Sequence, residues 1–234
     1  MNRRGFNGFW TLIAIGSAAF LLPSAQALSL ADLSNAQASQ GLKAALGKGA
    51  RAAVDLLGRP DGFLGDPRVR IGLPQYLQDA SGLLRTLGQG ERLDELVNAM
   101  NRAAEAAVPM ARNLLISAVK SMNVQDAKTI LSGGETAVTQ FFVEKTRIPL
   151  GQQFLPVVKK TTARVNLVEK YNQVAGKAAA VGLLKGEAVT IERYVTGKAL
   201  DGLYFMIGEE EKKIRRDPVG TGSTLLKKVF GALQ

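Results

Sequence analysis

One long apolar stripe constrains this chain more than any other feature. From Glu91 to Met122, Leu93, Leu96, Met100, Ala103, Ala107, Ala111, Leu114 and Ala118 recur at three- and four-residue steps. That spacing puts them on one face of a helix. Val97, Ala104, Val108 and Leu115 widen the face. A helix apolar over so broad a sector must be covered from more than one side, so the pattern predicts a central helix with others packed around it. Pro109 falls inside the run. It has no N–H to donate, and its ring meets the carbonyl of Glu105, so a kink is expected there.

Asn123–Arg147 (NVQDAKTILSGGETAVTQFFVEKTR) follows. Asn123 can cap a helix, with Asp126 adding negative charge at its positive end. Ala127, Ile130 and Leu131 share a face, and Gly133-Gly134 offers the positive φ angles that stop a right-handed helix. Glu135 opens a second helix with Val138, Phe141 and Phe142, which Pro149 is expected to end. The product is an αα-hairpin. A phosphate-binding reading of the double glycine fails, because Glu135 stands at the helix N-terminus where a lysine is usual, and its negative charge would repel an anion.

The flanking segments follow the same logic. Leu42, Leu46, Ala50, Val54 and Leu57 line a helix ending at Gly58. Pro60-Asp61-Gly62 and Asp66-Pro67 then signal turns. Between them Phe63 and Leu64 are expected to plug the core, while Val69 and Ile71 alternate with Arg68 and Arg70 in a brief extended piece. Pro74 starts a short helix that stops at Gly88. Residues 149–166, 167–180 and the run from Thr190 to about Arg216 read as further helices, with Gly182–Gly186 a loop. In the last helix Ile191, Val195, Ala199, Gly202, Leu203, Met206 and Ile207 form the inner face. Leu225, Leu226, Val229 and Phe230 make a short amphipathic end-piece. Only 6% of residues are aromatic, no repeat is visible and no linker separates two cores. The fold class is therefore all-α: a single-domain multi-helix bundle, residues 41–231, with a kinked central helix and a central αα-hairpin. Residues 28–40, small and polar, are expected to be flexible.

The N-terminus has the pattern of an export signal. Arg3 and Arg4 precede the apolar run Phe9–Leu22, and Ala25-Gln26-Ala27 is a small-x-small site, so residues 1–27 are expected to be removed after Ala27 and the protein to be periplasmic. The run is short for a span of ~20 residues, and no later stretch would make the processed chain transmembrane. Arg3-Arg4-x-Phe6 only partly fits a twin-arginine signal, so ordinary secretion is the expected route. Cleavage removes two arginines and no acid, taking the net charge from +10 to +8. The expected partner is an anionic envelope lipid or a protein. Nucleic acid is not expected, since the bases are scattered among acids without a basic-aromatic block. There is no cysteine and no histidine, which removes disulfides, thiol nucleophiles, the commonest general base and the usual zinc ligands. No cofactor or metal is expected.

Candidate site residues are few. Ser117-x-x-Lys120 matches a nucleophile pair, but its companion motifs are missing and the tetrapeptide is common. Asn98, Asn101, Arg102, Glu105 and Arg112 share the polar side of the central helix. They form either a solvated or register-fixing network, the favoured reading, or a polar pocket beside the Pro109 kink. Tyr171, with Asn172, can bridge helices, and Asp201 can meet a base beside the last helix. The ligand-binding candidates are accordingly Asn101, Arg102, Glu105, Tyr171 and Asp201, with no residue assigned as catalytic. The favoured function is a non-enzymatic binding protein for an envelope partner or apolar ligand. The alternative is a hydrolase-like enzyme using Asp, Glu, Ser or Lys around Asn101–Glu105.

Several segments together carry a resemblance: GRPDGF at 58–63, MNRAAEAAVP at 100–109, DAKTILSGG at 126–134 with Thr139-x-Phe141-Phe142, YNQVAGKAA at 171–179 and KALDGLYFMIGEEEKKIR at 198–215. The chain resembles the bacterial family called domain of unknown function 4197, from about Leu42 to Phe230. The resemblance implies a helical protein exported from Gram-negative bacteria, and it carries over no catalytic residue.

Overall fold

The computed structural model describes residues 35–163, 165, 168–169, 171–172 and 190–216. The expected export signal of residues 1–27, the expected loop Gly182–Gly186 and the expected end-piece Leu225–Phe230 lie outside the described residues. Among those described there are seven α-helices and no strand: α1 (Asn35–Leu57), α2 (Gln75–Thr86), α3 (Gly90–Ala107), α4 (Ala111–Ser121), α5 (Val124–Ser132), α6 (Ala137–Thr162) and α7 (Ile191–Arg216). They form one all-α domain. α3, α6 and α7 pack on one another, α1 closes the core against α7 and α4, and α2 lies outside on α3. No described helix is long and apolar enough to cross a membrane.

The central run breaks where Pro109 stands. α3 stops at Ala107, Val108–Met110 form a 3-10 turn, and α4 resumes at Ala111. The stripe survives the break, because Leu93, Leu96, Met100, Ala103, Ala107, Ala111 and Leu115 are all buried. α1 begins at Asn35, so residues 35–40 lie in a helix. Ala36 and Ala38 favour that extension, alanine being the strongest helix former.

The hairpin differs from expectation in two ways. Its first helix starts as the sequence predicts: Asn123 Oδ1 accepts from the Asp126 N–H at 2.7 Å, and Asp126 Oδ2 accepts from the Asn123 N–H at 2.9 Å. Its glycines, however, do not adopt positive φ. Gly133 is extended, at φ −79° and ψ 162°. Space, not handedness, calls for glycine there, since a Cβ would lie 2.6 Å from the Ala137 Cβ and 2.8 Å from the Thr129 carbonyl. Nor does Pro149 end the second helix. α6 runs through Pro149 and Pro156 to Thr162. Both prolines sit off the inner face, on which Thr146, Leu150, Phe154, Val158 and Thr162 are buried. An interior proline costs about 3 kcal/mol, whereas full burial of Leu150, Phe154 and Val158 contributes about 1.5–3 kcal/mol each. Packing against α3 and α7 therefore carries the helix past two local breakers.

α7 starts at Thr190, whose Oγ1 accepts from the Arg193 N–H at 3.2 Å. The side chain of Asn172 adds a second cap: its Oδ1 accepts from the Ile191 N–H at 2.9 Å while its amide donates to Glu192. Gly202 faces the loop between α1 and α2. A Cβ on it would stand 2.7 Å from Phe63 Cε1, so this glycine makes the space into which the fully buried Phe63 inserts.

Candidate functional site

The loop Arg59–Leu73 is a strap held across α3. Two polar side chains one helical turn apart hold it. Glu105 Oε1 accepts from the N–H groups of Phe63 and Leu64, at 3.1 and 3.2 Å. Its Oε2 accepts from Arg102 at 2.7 Å. Asn101 treats Ile71 as a neighbouring strand would. Its Oδ1 accepts from the Ile71 N–H at 2.9 Å, and its Nδ2 donates to the Ile71 and Val97 carbonyls, both at 2.8 Å. Asn101 is wholly buried and Glu105 nearly so. A buried polar group is tolerated when its partners are complete, and here the strap's own backbone completes them. Arg102 extends the cluster outward to Asp61 at 2.7 Å. Its guanidinium is held above its ordinary value, by the hydrogen bond to Glu105 first and that to Asp61 second. Asp61 itself adopts φ +61° at the strap's first turn, a conformation Asp tolerates better than most residues.

The strap's outer side forms one wall of a groove of about 450 Å³, with α7 as the other wall. Val69, Ile71 and Gly202, all buried, line its apolar part. Arg68, Arg70 and Lys198 supply three positive charges there against one carboxylate, Asp201. Asp201 is already paired with Arg147 of α6 at 3.0 Å. Arg68 is partly committed: it donates to both oxygens of Asp66, lies 3.8 Å from Glu209 and stands 6.0 Å from the centre of the Phe205 ring. Its hydrogen bond holds the Asp66 carboxyl below the usual range. Among the described residues Arg70 and Lys198 form no ion pair. Lys198 sits 5.9 Å from the Tyr194 ring centre, a cation–π distance. The Tyr194 hydroxyl crosses the groove floor to donate to the Gly72 carbonyl at 3.2 Å. Burial pushes the phenol up, with the nearby Tyr171 adding to the shift.

The five residues singled out in the sequence therefore do not converge. Asn101, Arg102 and Glu105 stand together behind the strap. Asp201 lies on the groove side, bonded to α6. Tyr171 is buried beyond Tyr194, and its own hydroxyl is also pushed up by burial. Ser117 and Lys120 are both exposed on α4. Sequence reasoning missed Arg70, Tyr194, Lys198 and Phe205 as a set. A signal was present: Tyr194, Lys198, Asp201 and Phe205 follow one another at steps of four, three and four, a second face of α7 beside its apolar one. Among the described residues no group of three acidic side chains is placed to hold a metal ion.

The fold and site thus define an all-helical protein with a strap-walled, basic and aromatic groove. The chain belongs to the family described as Protein of unknown function (DUF4197), whose model matches residues 32–231. No curated protein and no solved structure matches it.

Proposed function

We propose that this is an exported, non-enzymatic binding protein of the bacterial cell envelope, and that its groove holds an anionic partner. The observation that carries the reading is the pair Arg70 and Lys198, two cations without ion-pair partners among the described residues, above an apolar, aromatic-edged groove. Cations left unpaired beside a low-dielectric wall attract negative charge more strongly than cations dispersed over a surface. The non-enzymatic reading is supported by the state of Asn101 and Glu105. Each is occupied by strap backbone, so use of either as a base or polariser would first break the contacts that build the groove wall. Export is supported by Arg3, Arg4, Phe9–Leu22 and the Ala25-Gln26-Ala27 site.

Native mass spectrometry of the chain purified from its own periplasm tests both parts. The expected result is a polypeptide beginning at Leu28 that carries an additional bound mass, lost in the double variant Arg70→Glu, Lys198→Glu. An unprocessed chain would sink the export reading. A bound mass indifferent to the double variant, or none at all, would sink the groove.

A further inference from the structure

We infer that the groove takes an extended peptide segment bearing acidic side chains, added as a strand beside Arg70–Gly72. This rests on the groove being the binding site. The argument begins with the strap's backbone. The turn on the Asp66 carbonyl ends at Arg70, and beyond it Ile71 is buried between the exposed Arg70 and Gly72, the alternation of an extended chain. In such a chain the N–H and C=O of one residue point to one edge and those of its neighbours to the other. Asn101 takes both backbone groups of Ile71, so the Ile71 edge faces α3 and is filled.

The opposite edge faces α7 and the groove, as the Tyr194 bond to the Gly72 carbonyl fixes. On that edge the Arg70 N–H is used by the Asp66 carbonyl. Among the described residues the Arg70 carbonyl and the Gly72 N–H make no hydrogen bond. A carbonyl at one residue and an N–H two residues on are the pair that a parallel strand engages through a single residue. Gly72 itself points the same way. Its φ is not in the left-handed region, and a Cβ there would meet nothing within 4 Å, so neither backbone nor packing demands glycine. The open space beside it leaves the N–H free to close approach, and a methyl would not fill that space. The chemistry around this edge selects the side chains of the incoming segment. Arg70 and Lys198 favour carboxylates, and Phe205 and Tyr194 favour apolar neighbours. Arg70 also feels Asp94, but Asp94 is held by Arg85 at 2.6 Å. Backbone pairing with pockets for alternate side chains is the general form of recognition by strand addition.

The test uses the processed full chain and a fluorescent, acetylated and amidated peptide of alternating valine and glutamate, followed by anisotropy. A second peptide carries lysine in place of glutamate, and a third carries N-methyl valines, which keep the charge and remove N–H donors. Vesicles of phosphatidylcholine with phosphatidylglycerol form a separate arm. Binding of the glutamate peptide is expected. It should weaken about tenfold on N-methylation, as for loss of a hydrogen bond. Gly72→Pro should weaken it by a similar factor and Gly72→Ala by less than about twofold. Arg70→Glu with Lys198→Glu should abolish it, and the lysine peptide should not bind. Thermal melts check that the variants fold, and the N-methyl peptide decides the matter on the unaltered protein. Equal binding of the N-methyl peptide overturns strand addition. Vesicle binding that depends on Arg70 and Lys198, without peptide binding, overturns the peptide while leaving the groove. No binding in either arm overturns both.

Discussion

Replacing Asn101 by leucine tests how the strap is held. Leucine keeps the branched shape of asparagine, with bulkier methyls in place of its polar atoms. The Ile71 N–H and C=O would then be buried without partners, while the Val97 carbonyl keeps its helical bond. An orphaned buried group costs about 1–3 kcal/mol, and the leucine methyls return about 1 kcal/mol of burial. With two groups orphaned the expected net loss is about 1–5 kcal/mol, a large share of a typical total of about 5–15 kcal/mol. With a urea slope of about 2 kcal/mol/M, the midpoint should fall by about 0.5–2.5 M. Hydrogen exchange gives the local readout, because the Ile71 amide should lose protection relative to amides of α6. The control is Asn98→Leu, an exposed position one turn back on the same helix, expected to change stability by less than about 0.5 kcal/mol. If both variants unfold at the same midpoint, or if the Ile71 amide stays protected in Asn101→Leu, Asn101 does not hold the strap and the account of the groove wall fails with it.

Other consequences follow from the same contacts. Gly202→Ala gains about 1 kcal/mol of helix propensity but drives a methyl to 2.7 Å from the buried Phe63 ring. A net loss of about 1–2 kcal/mol is expected by denaturation, turning neutral or favourable in a Phe63→Leu background. Asn123→Ala removes the cap of α5 and should cost about 1 kcal/mol, measured the same way; no change would mean the capping box is dispensable. Burial pushes the Tyr204 phenol up. A raised folded value makes its contribution complete below the ordinary tyrosine value and lost as pH rises through the folded one. Stability should therefore decline in the alkaline range above about pH 10, and Tyr204→Phe should make that decline shallower; an unchanged slope would refute the assignment.

Much of the fold was legible because it depends on residues close in sequence. The stripe from Leu93 to Ala118, the Asn123 cap, the Thr190 cap and the break at Pro109 are each decided within a few turns of helix. Two expectations failed where tertiary packing overrode local chemistry. Pro149 reads as a terminator, yet the buried face through Leu150, Phe154 and Val158 carries α6 past it. Gly133 reads as a left-handed corner, yet it is small because Ala137 and the Thr129 carbonyl crowd it. Those overrides depend on what lies opposite, which spacing cannot report.

The groove was illegible for a related reason. Its two walls come from residues 68–72 and 194–205, and the contact that joins them, Tyr194 to Gly72, spans 122 positions. The polar residues that do stand out on α3 direct attention to the wrong side of the strap. Buried Asn and Glu on a central helix suggest chemistry, because such groups are costly without partners. Here their partners are backbone atoms of a loop that has no regular structure to satisfy it. Asn101 supplies the missing strand and Glu105 the missing cap for two successive N–H groups. A loop held this way presents its other edge in a fixed position, and Arg70 and Gly72 occupy that edge. The polar cluster and the groove are then one construction: the first immobilises the backbone whose remaining hydrogen-bonding groups the second exposes. A substitution at Asn101 should consequently weaken peptide binding in proportion to the protection lost at Ile71, although Asn101 lies on the far side of the strap from the groove. Binding unaffected while that protection disappears would separate the two and refute the coupling.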